Sequence, residues 1–239
     1  MTKTTMLPLK FENNGMIMRL TPVIIESGDN LILVDCGNPG LLELLEGAIK
    51  NAGYAPEALT KVMITHHDHD HFGSLAALKR KYPKVKICAS ELEVPYLEGE
   101  KKSLRLVQAE SIYDTLPEER KEWARGFHAY LEGIEKVKVD TILKDGDALD
   151  EAGKVIVIAT PGHMPGHMSV IVTVEKTLIS GDALIAEEGT LMMANPQYSL
   201  DLDEARRSAI KLSHYELERV ICYHGGVVEG NISEILKTI

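Results

Sequence analysis

Cysteine is scarce in this chain, tryptophan occurs once, and no apolar run reaches membrane-spanning length. Cys36, Cys88 and Cys222 are odd in number and far apart, so they build neither a disulfide framework nor a CxxC motif. The opening residues, MTKTTMLPLKF, lack an apolar core of signal-peptide length, and no stretch approaches the roughly 18 apolar residues of a bilayer span. A reducing cytoplasm without membrane attachment is the expectation. Basic residues number 26 against 36 acidic ones, giving a formal charge of −10, and no basic cluster tracks phosphates. Nucleic acid is therefore not an expected partner. No G-x-S-x-G elbow occurs, and no phosphate-cradling glycine loop precedes a helix. Nor does a Pro/Ser linker divide the chain, so residues 1–239 read as a single domain.

What is present is a succession of strand-like and helix-like segments. Residues 16–27 and 30–37 read as two strands joined by a turn at Gly28–Asp29–Asn30. Residues 40–53 carry apolar positions at helical spacing, and KVMIT (61–65) reads as a short buried strand. A helix over 74–82 stops at Pro83, and 84–90 is the next strand. Residues 91–135 are charged and helical in pattern, with a capping-box spacing of Thr115 and Glu118. That stretch holds Tyr96, Tyr113, Trp123, Phe127 and Tyr130. Trp123, Phe127 and Tyr130 fall at i, i+4 and i+7. The simpler reading packs this stripe on the core; the functional one makes the segment a lid over a pocket. Strands return at 154–162, 168–176 and 176–184, and 219–226 is a strand running into a loop, with helices over 201–217, N-capped by Asp201, and 232–239. Strand–helix alternation with several strand-to-strand turns implies α/β layering with mixed sheets.

The ionisable residues gather where strands end. His66 follows KVMIT, Asp182 follows KTLIS, His224 follows RVICY, and His163 follows KVIVIA by a short turn. Loops at strand ends are where such folds collect binding groups. Imidazole and carboxylate both ligate zinc, iron and manganese. In HHDHDH (66–71), alternate residues of an extended segment share a side, so His66 and Asp68 can share one ion. Asp70 and His71, at the turn into the next helix, can serve a second.

THHDHDHFGS (65–74) resembles the signature of the metallo-β-lactamase superfamily, T-H-x-H-x-D-H-x-G. LVDCG (33–37), TPGHMPGH (160–167), SGDAL (180–184) and YHGG (223–226) resemble its other motifs, in order. The resemblance implies a four-layer αββα sandwich of two mixed β-sheets flanked by helices. It also implies a dinuclear site: His66, Asp68 and His163 on one divalent ion, Asp70, His71 and His224 on the other, and Asp182 bridging. Zinc is the first expectation, with iron or manganese compatible. A hydroxide between the ions is the implied nucleophile, Asp70 the catalytic proton relay, and Asp35 a buttress of the metal loop.

One position departs from the signature: its second histidine is Asp68 here. Two divalent ions, three carboxylates and a hydroxide sum to zero, one charge less than with histidine. A weaker pull on anionic substrates and more tolerance for iron or manganese are expected. His67 and His69 then face away from the ions, and His167 reads as structural. Tyr198 is within possible reach of the pocket, but no spacing requires it. Hydrolysis of a small-molecule ester, thioester or lactone is the expected function, as in the glyoxalase-II-like and lactonase branches. The tyrosine of lactonases shortly after the bridging Asp is missing, and the carrier-recognition tail of a glyoxalase II is not evident. A non-haem iron enzyme of persulfide or O2 chemistry and a metal-dependent phosphodiesterase are the alternatives.

Overall fold

The computed structural model describes residues 2–13 and 15–238 of the chain; the final residue of the expected terminal helix, Ile239, lies outside them. In chain order the first half holds β1 (Thr2–Met6), β2 (Leu9–Asn13), β3 (Met16–Leu20), β4 (Val23–Ser27), β5 (Asn30–Val34), α1 (Leu42–Asn51), β6 (Lys61–Met63), α2 (His69–Phe72), α3 (Leu75–Lys81) and β7 (Lys86–Ser90). Then follow α4 (Val94–Leu97), α5 (Leu104–Ser111), α6 (Glu118–Glu132), β8 (Thr141–Leu143), β9 (Val155–Ala159), β10 (Met168–Val172) and β11 (Thr177–Ile179). The chain closes with β12 (Leu184–Glu187), β13 (Thr190–Met193), α7 (Leu202–Leu212), β14 (Arg219–Cys222), β15 (Gly226–Glu229) and α8 (Ile232–Leu236).

Alternation along the strands dictates the layers. Val23, Ile25, Ile32 and Val34 point to one face of the first sheet, where they pack with Val155, Val157, Val170 and Ile221 of the second. Their neighbours Ile24, Leu31 and Leu33 point the other way, onto Leu45 and Ile49 of α1 and Leu75 and Leu78 of α3. The far face of the second sheet, through Ile158, Ile171, Leu178 and Val220, meets Ala209 and Leu212 of α7 and Ile232 and Leu236 of α8. Side chains that alternate between two apolar layers force a helix–sheet–sheet–helix stack. The αββα expectation is met.

The sheets run β1-β4-β5-β6-β7-β8 and β15-β14-β11-β10-β9. β5, β6, β7 and β8 are mutually parallel, as are β11 and β14, while the remaining pairings in both sheets are antiparallel. The loops after β5, β6, β9, β11 and β14 consequently meet at one edge of the sandwich.

Three local expectations are corrected. Residues 16–27 form two strands, because Pro22 has no N–H to continue a ladder; β3 pairs with β2, and β4 with β1 and β5. The segment read as a strand over 176–184 is one only at Thr177–Ile179, and a separate hairpin, β12–β13, begins at Leu184 and continues through residues without a strand assignment from sequence. No capping box forms at α6: Pro117 is the N-cap, and the Thr115 hydroxyl donates to the Ile112 carbonyl at 2.7 Å. Asp201 does cap α7, its Oδ1 accepting from Glu204 N–H at 2.9 Å.

Candidate metal centre

All seven candidate ligands converge at that edge. His66 Nε2 lies 3.4 Å from Asp68 Oδ2, which lies 3.1 Å from His163 Nε2. His224 Nε2 lies 3.3 Å from Asp70 Oδ2 and 3.5 Å from Asp182 Oδ1. Asp182 stands between the groups: its Oδ1 is 3.2 Å from His71 Nε2 and its Oδ2 is 3.5 Å from His163 Nε2. A tetrahedron whose corners are about 2.0–2.1 Å from its centre, the Zn–N and Zn–O distance, has edges of about 3.3–3.4 Å. The residues therefore fit divalent cations. A second sign agrees: His66 Nε2, His71 Nε2 and Asp182 Oδ1 are buried without a hydrogen-bond partner. Buried polar atoms are rarely left so unless something else engages them.

The surrounding shell fixes which ring nitrogen faces inward. Asp35, held at φ 59°, accepts from Thr65 N–H at 2.9 Å, from the Thr65 hydroxyl at 2.8 Å and from His71 Nδ1 at 2.8 Å. That leaves His71 Nε2 for the cluster, the buttress expected of Asp35. The Thr65 hydroxyl also lies 3.0 Å from His66 Nδ1, turning His66 Nε2 inward. His167 Nε2 accepts from Asp182 N–H at 2.9 Å, so His167 is a structural prop as expected. Burial and the neighbouring His66 push His167 well below the usual imidazole range, in keeping with an acceptor nitrogen. Gly181 takes φ +54° here, and a Cβ on it would lie 2.7 Å from that same His167 nitrogen. The Tyr223 hydroxyl donates to the Asp70 carbonyl at 2.6 Å, and Gly225 lets the 223–226 turn pack where a Cβ would lie 1.7 Å from Ala186 O.

The electrostatics are those of a cluster rich in carboxylate. Burial opposes charge at Asp182, but His224 and His71 hold it well below the usual carboxylate range. Asp70 is likewise lowered against burial, by His69 and His71. Burial works against the imidazolium at His224, yet Asp182 and Asp70 push it up to about 10. His71 is raised well above its ordinary value against burial, by Asp182, Asp35 and Asp70. Carboxylates that stay ionised in a buried pocket demand positive charge there.

Two charged residues of the site carried no signal in the sequence. Arg105, on α5, is buried against Asp68: its Nη2 donates to Asp68 Oδ2 at 2.6 Å and its Nε to Oδ1 at 3.1 Å. Nη2 also donates to the Tyr198 carbonyl at 2.9 Å and lies 3.3 Å from His163 Nε2. This corrects the charge count from sequence. The guanidinium returns one positive charge beside Asp68, so the expected weaker pull on anions does not follow. Tyr198 reaches the site through its backbone, and its ring lies 5.5 Å from the Arg105 guanidinium carbon. An arginine 37 residues downstream of its partner has no motif to mark it.

Glu93 is the second. His67 turns away from the ligand cluster, as expected, and its backbone N–H (2.8 Å) and Nδ1 both bond Glu93 Oε2. Glu93 Oε1 accepts from Gly166 N–H at 3.0 Å, and His67 Nε2 accepts from Leu104 N–H at 3.2 Å. The buried Glu93 carboxylate thus ties the 66–71 loop to the 163–167 loop, and His67 joins the start of α5 to that clamp. Glu93→Ala strands three buried donors, each worth about 1–3 kcal/mol unsatisfied. A loss of at least about 3 kcal/mol in urea unfolding is expected; a loss below about 1 kcal/mol would show that the clamp carries no weight.

The family profile described as Metallo-beta-lactamase superfamily matches residues 21–224. YobT of Bacillus subtilis (strain 168) is 30% identical over 179 residues, 72% of this chain and 67% of its own length. The "Probable metallo-hydrolase YflN" of the same strain is 26% identical over 213 residues, 82% of this chain and 75% of its own. Among solved structures, the metallo-beta-lactamase family protein TTHA1429 from Thermus thermophilus superposes with a TM-score of 0.75 at 20% identity, covering 98% of this chain and 77% of that one. At that identity the likeness speaks for the fold.

Proposed function

Because the chain belongs to the metallo-beta-lactamase superfamily, whose hydrolytic members include metallo-hydrolases similar to it, we propose that it is a two-cation hydrolase acting on a small ester, thioester or lactone. The observation that carries the reading is the placement of Asp182, with Oδ1 toward His71 and His224 and Oδ2 toward His163. A single carboxylate serving two clusters of donors is the requirement for two neighbouring cations. His66, Asp68 and His163 would hold one, Asp70, His71 and His224 the other, and Asp182 would serve both. Two divalent cations held there, zinc in the first instance with iron or manganese as the alternatives, would lower the pKa of a shared water and polarise a scissile carbonyl.

The chain's own residues supply the rest. Asp70 is partly exposed on the open side of the cluster, so its carboxylate is placed to take the proton released by the attacking water and pass it to the leaving group. Asp35 and Thr65 keep the imidazoles oriented, and buried Tyr223 fixes the backbone beneath Asp70. Helices α4–α6, at residues 91–135, act as a wall over the cluster, anchored through Arg105 and Glu93.

A substrate panel tests the reading: p-nitrophenyl esters, acyl thioesters and lactones beside bis-p-nitrophenyl phosphate, with and without chelator. Carboxyl-group hydrolysis that disappears with chelator and returns with zinc is expected. Activity on the phosphodiester alone, or oxygen consumption by an iron-loaded preparation without hydrolysis, would replace it.

A further inference from the structure

The hydrolytic reading leaves the substrate's non-reacting part undefined, and the surface beside the cluster bears on it. Side-chain exposure rises across the site in one direction. His66 is 0% exposed and Asp68 6%, whereas Asp70 is 19% and His224 32% exposed. Substrate therefore reaches the cluster from the side of Asp70 and His224. His69 adjoins Asp70 on that side, its side chain 24% exposed. Its ring meets Phe127 edge-on at 5.9 Å and Tyr130 edge-on at 5.6 Å. From Phe127 the row continues to Trp123, stacked at 5.4 Å and 12°, and to Tyr130, stacked at 6.4 Å and 21°.

The aromatic row is not what holds α6 in place. Ala124 and Leu131 are the buried residues of the helix, while Trp123 is 62% and Tyr130 39% exposed. This corrects the simpler sequence reading of the stripe as core packing; of its three members, Phe127 alone packs on the core. Tyr130 Oη accepts from Asn38 Nδ2 at 3.4 Å, so its ring is tethered to the loop after β5, which also carries Asp35. The result is a stack of rings, continuous with the open side of the cluster and facing water. Rings of this kind bury much apolar area against a flat or flexible apolar group at little cost in side-chain entropy.

We propose that Trp123, Phe127, Tyr130 and His69 form a binding subsite for the apolar arm of the substrate, a medium-length acyl chain or an aryl group. The proposal rests on the hydrolytic reading for what happens at the cluster. It rests on the rings alone for what they bind. The arm lies along α6, and the carbonyl end reaches the cations past His69.

Trp123 is the single tryptophan of the chain, so its emission reports the subsite without turnover. The cation-loaded full-length protein is titrated with octanoate, 4-phenylbutyrate and acetate. Octanoate and phenylbutyrate should shift the emission saturably to the blue, and acetate should not. In parallel, kcat/KM is measured for p-nitrophenyl acetate, butyrate, hexanoate and octanoate. Each methylene that lands on the rings should raise kcat/KM by up to about fourfold, and Trp123→Ala, a change at an exposed position, should flatten the series. An emission unmoved by octanoate in a protein that hydrolyses esters would overturn the subsite. So would a tryptophan already blue-shifted whose emission moves on dilution, because a second copy would then cover the rings. If octanoate shifts the emission but no ester, thioester or lactone is cleaved, the subsite stands and the hydrolytic reading falls.

Discussion

Asp182→Ala is expected to lower hydrolysis by at least about 10³-fold, to abolish tight cation binding and to leave the fold standing. The size follows from position. Its two oxygens face the two donor groups, so the change removes a ligand from both at once. Loss of Lewis-acid stabilisation worth about 4 kcal/mol is a factor of about 10³ in rate. Stability supplies an independent reading. A cation at about a hundredfold excess over its dissociation constant stabilises the folded state by about 2.7 kcal/mol. For a domain of this size that raises Tm by about 5–10 °C. The wild type should show this rise on adding zinc, and Asp182→Ala should not. A variant that keeps the rise and loses only activity would place Asp182 outside the cation site.

The second large effect concerns Asp68 and Arg105. Both are buried, and the guanidinium grips the carboxylate through Nη2 and Nε. Breaking such a pair from one side strands a buried charge and costs about 3–5 kcal/mol. Arg105→Met alone and Asp68→His alone should each destabilise the cation-free protein by about 3 kcal/mol or more. Asp68→His with Arg105→Met strands nothing, so the double variant should recover at least about 2 kcal/mol of the summed loss. Urea unfolding of the four proteins measures this. Additivity within about 0.5 kcal/mol would show that the two residues do not act as a pair. Zinc should also rescue Arg105→Met more than the wild type, because a cation replaces the lost positive charge beside Asp68.

The cluster was legible from sequence because its parts are local. HHDHDH sits between a strand and a helix, and each other candidate follows a buried strand by one to four residues. Strand ends of parallel topology then bring them together without further information. The αββα layering was legible for a similar reason, through alternation in segments such as VIIES and NLILV. What stayed hidden depends on distance along the chain. Arg105 pairs with a residue 37 positions away, and Glu93 reaches loops 26 and 73 positions away. Neither spacing repeats a pattern that periodicity can detect. The strand break at Pro22 was visible as a proline but not as a change of sheet. The stripe on α6 has helical spacing, but spacing alone does not say whether a helical face meets a core or open water.

Seven side chains that grip two cations should do so measurably in elemental analysis of chelator-stripped protein after equilibrium dialysis against zinc, with ester hydrolysis followed on the same samples. Two equivalents of zinc per chain, with activity rising as they bind, is the expected result. Full activity in protein holding less than a tenth of an equivalent of any divalent metal would contradict it.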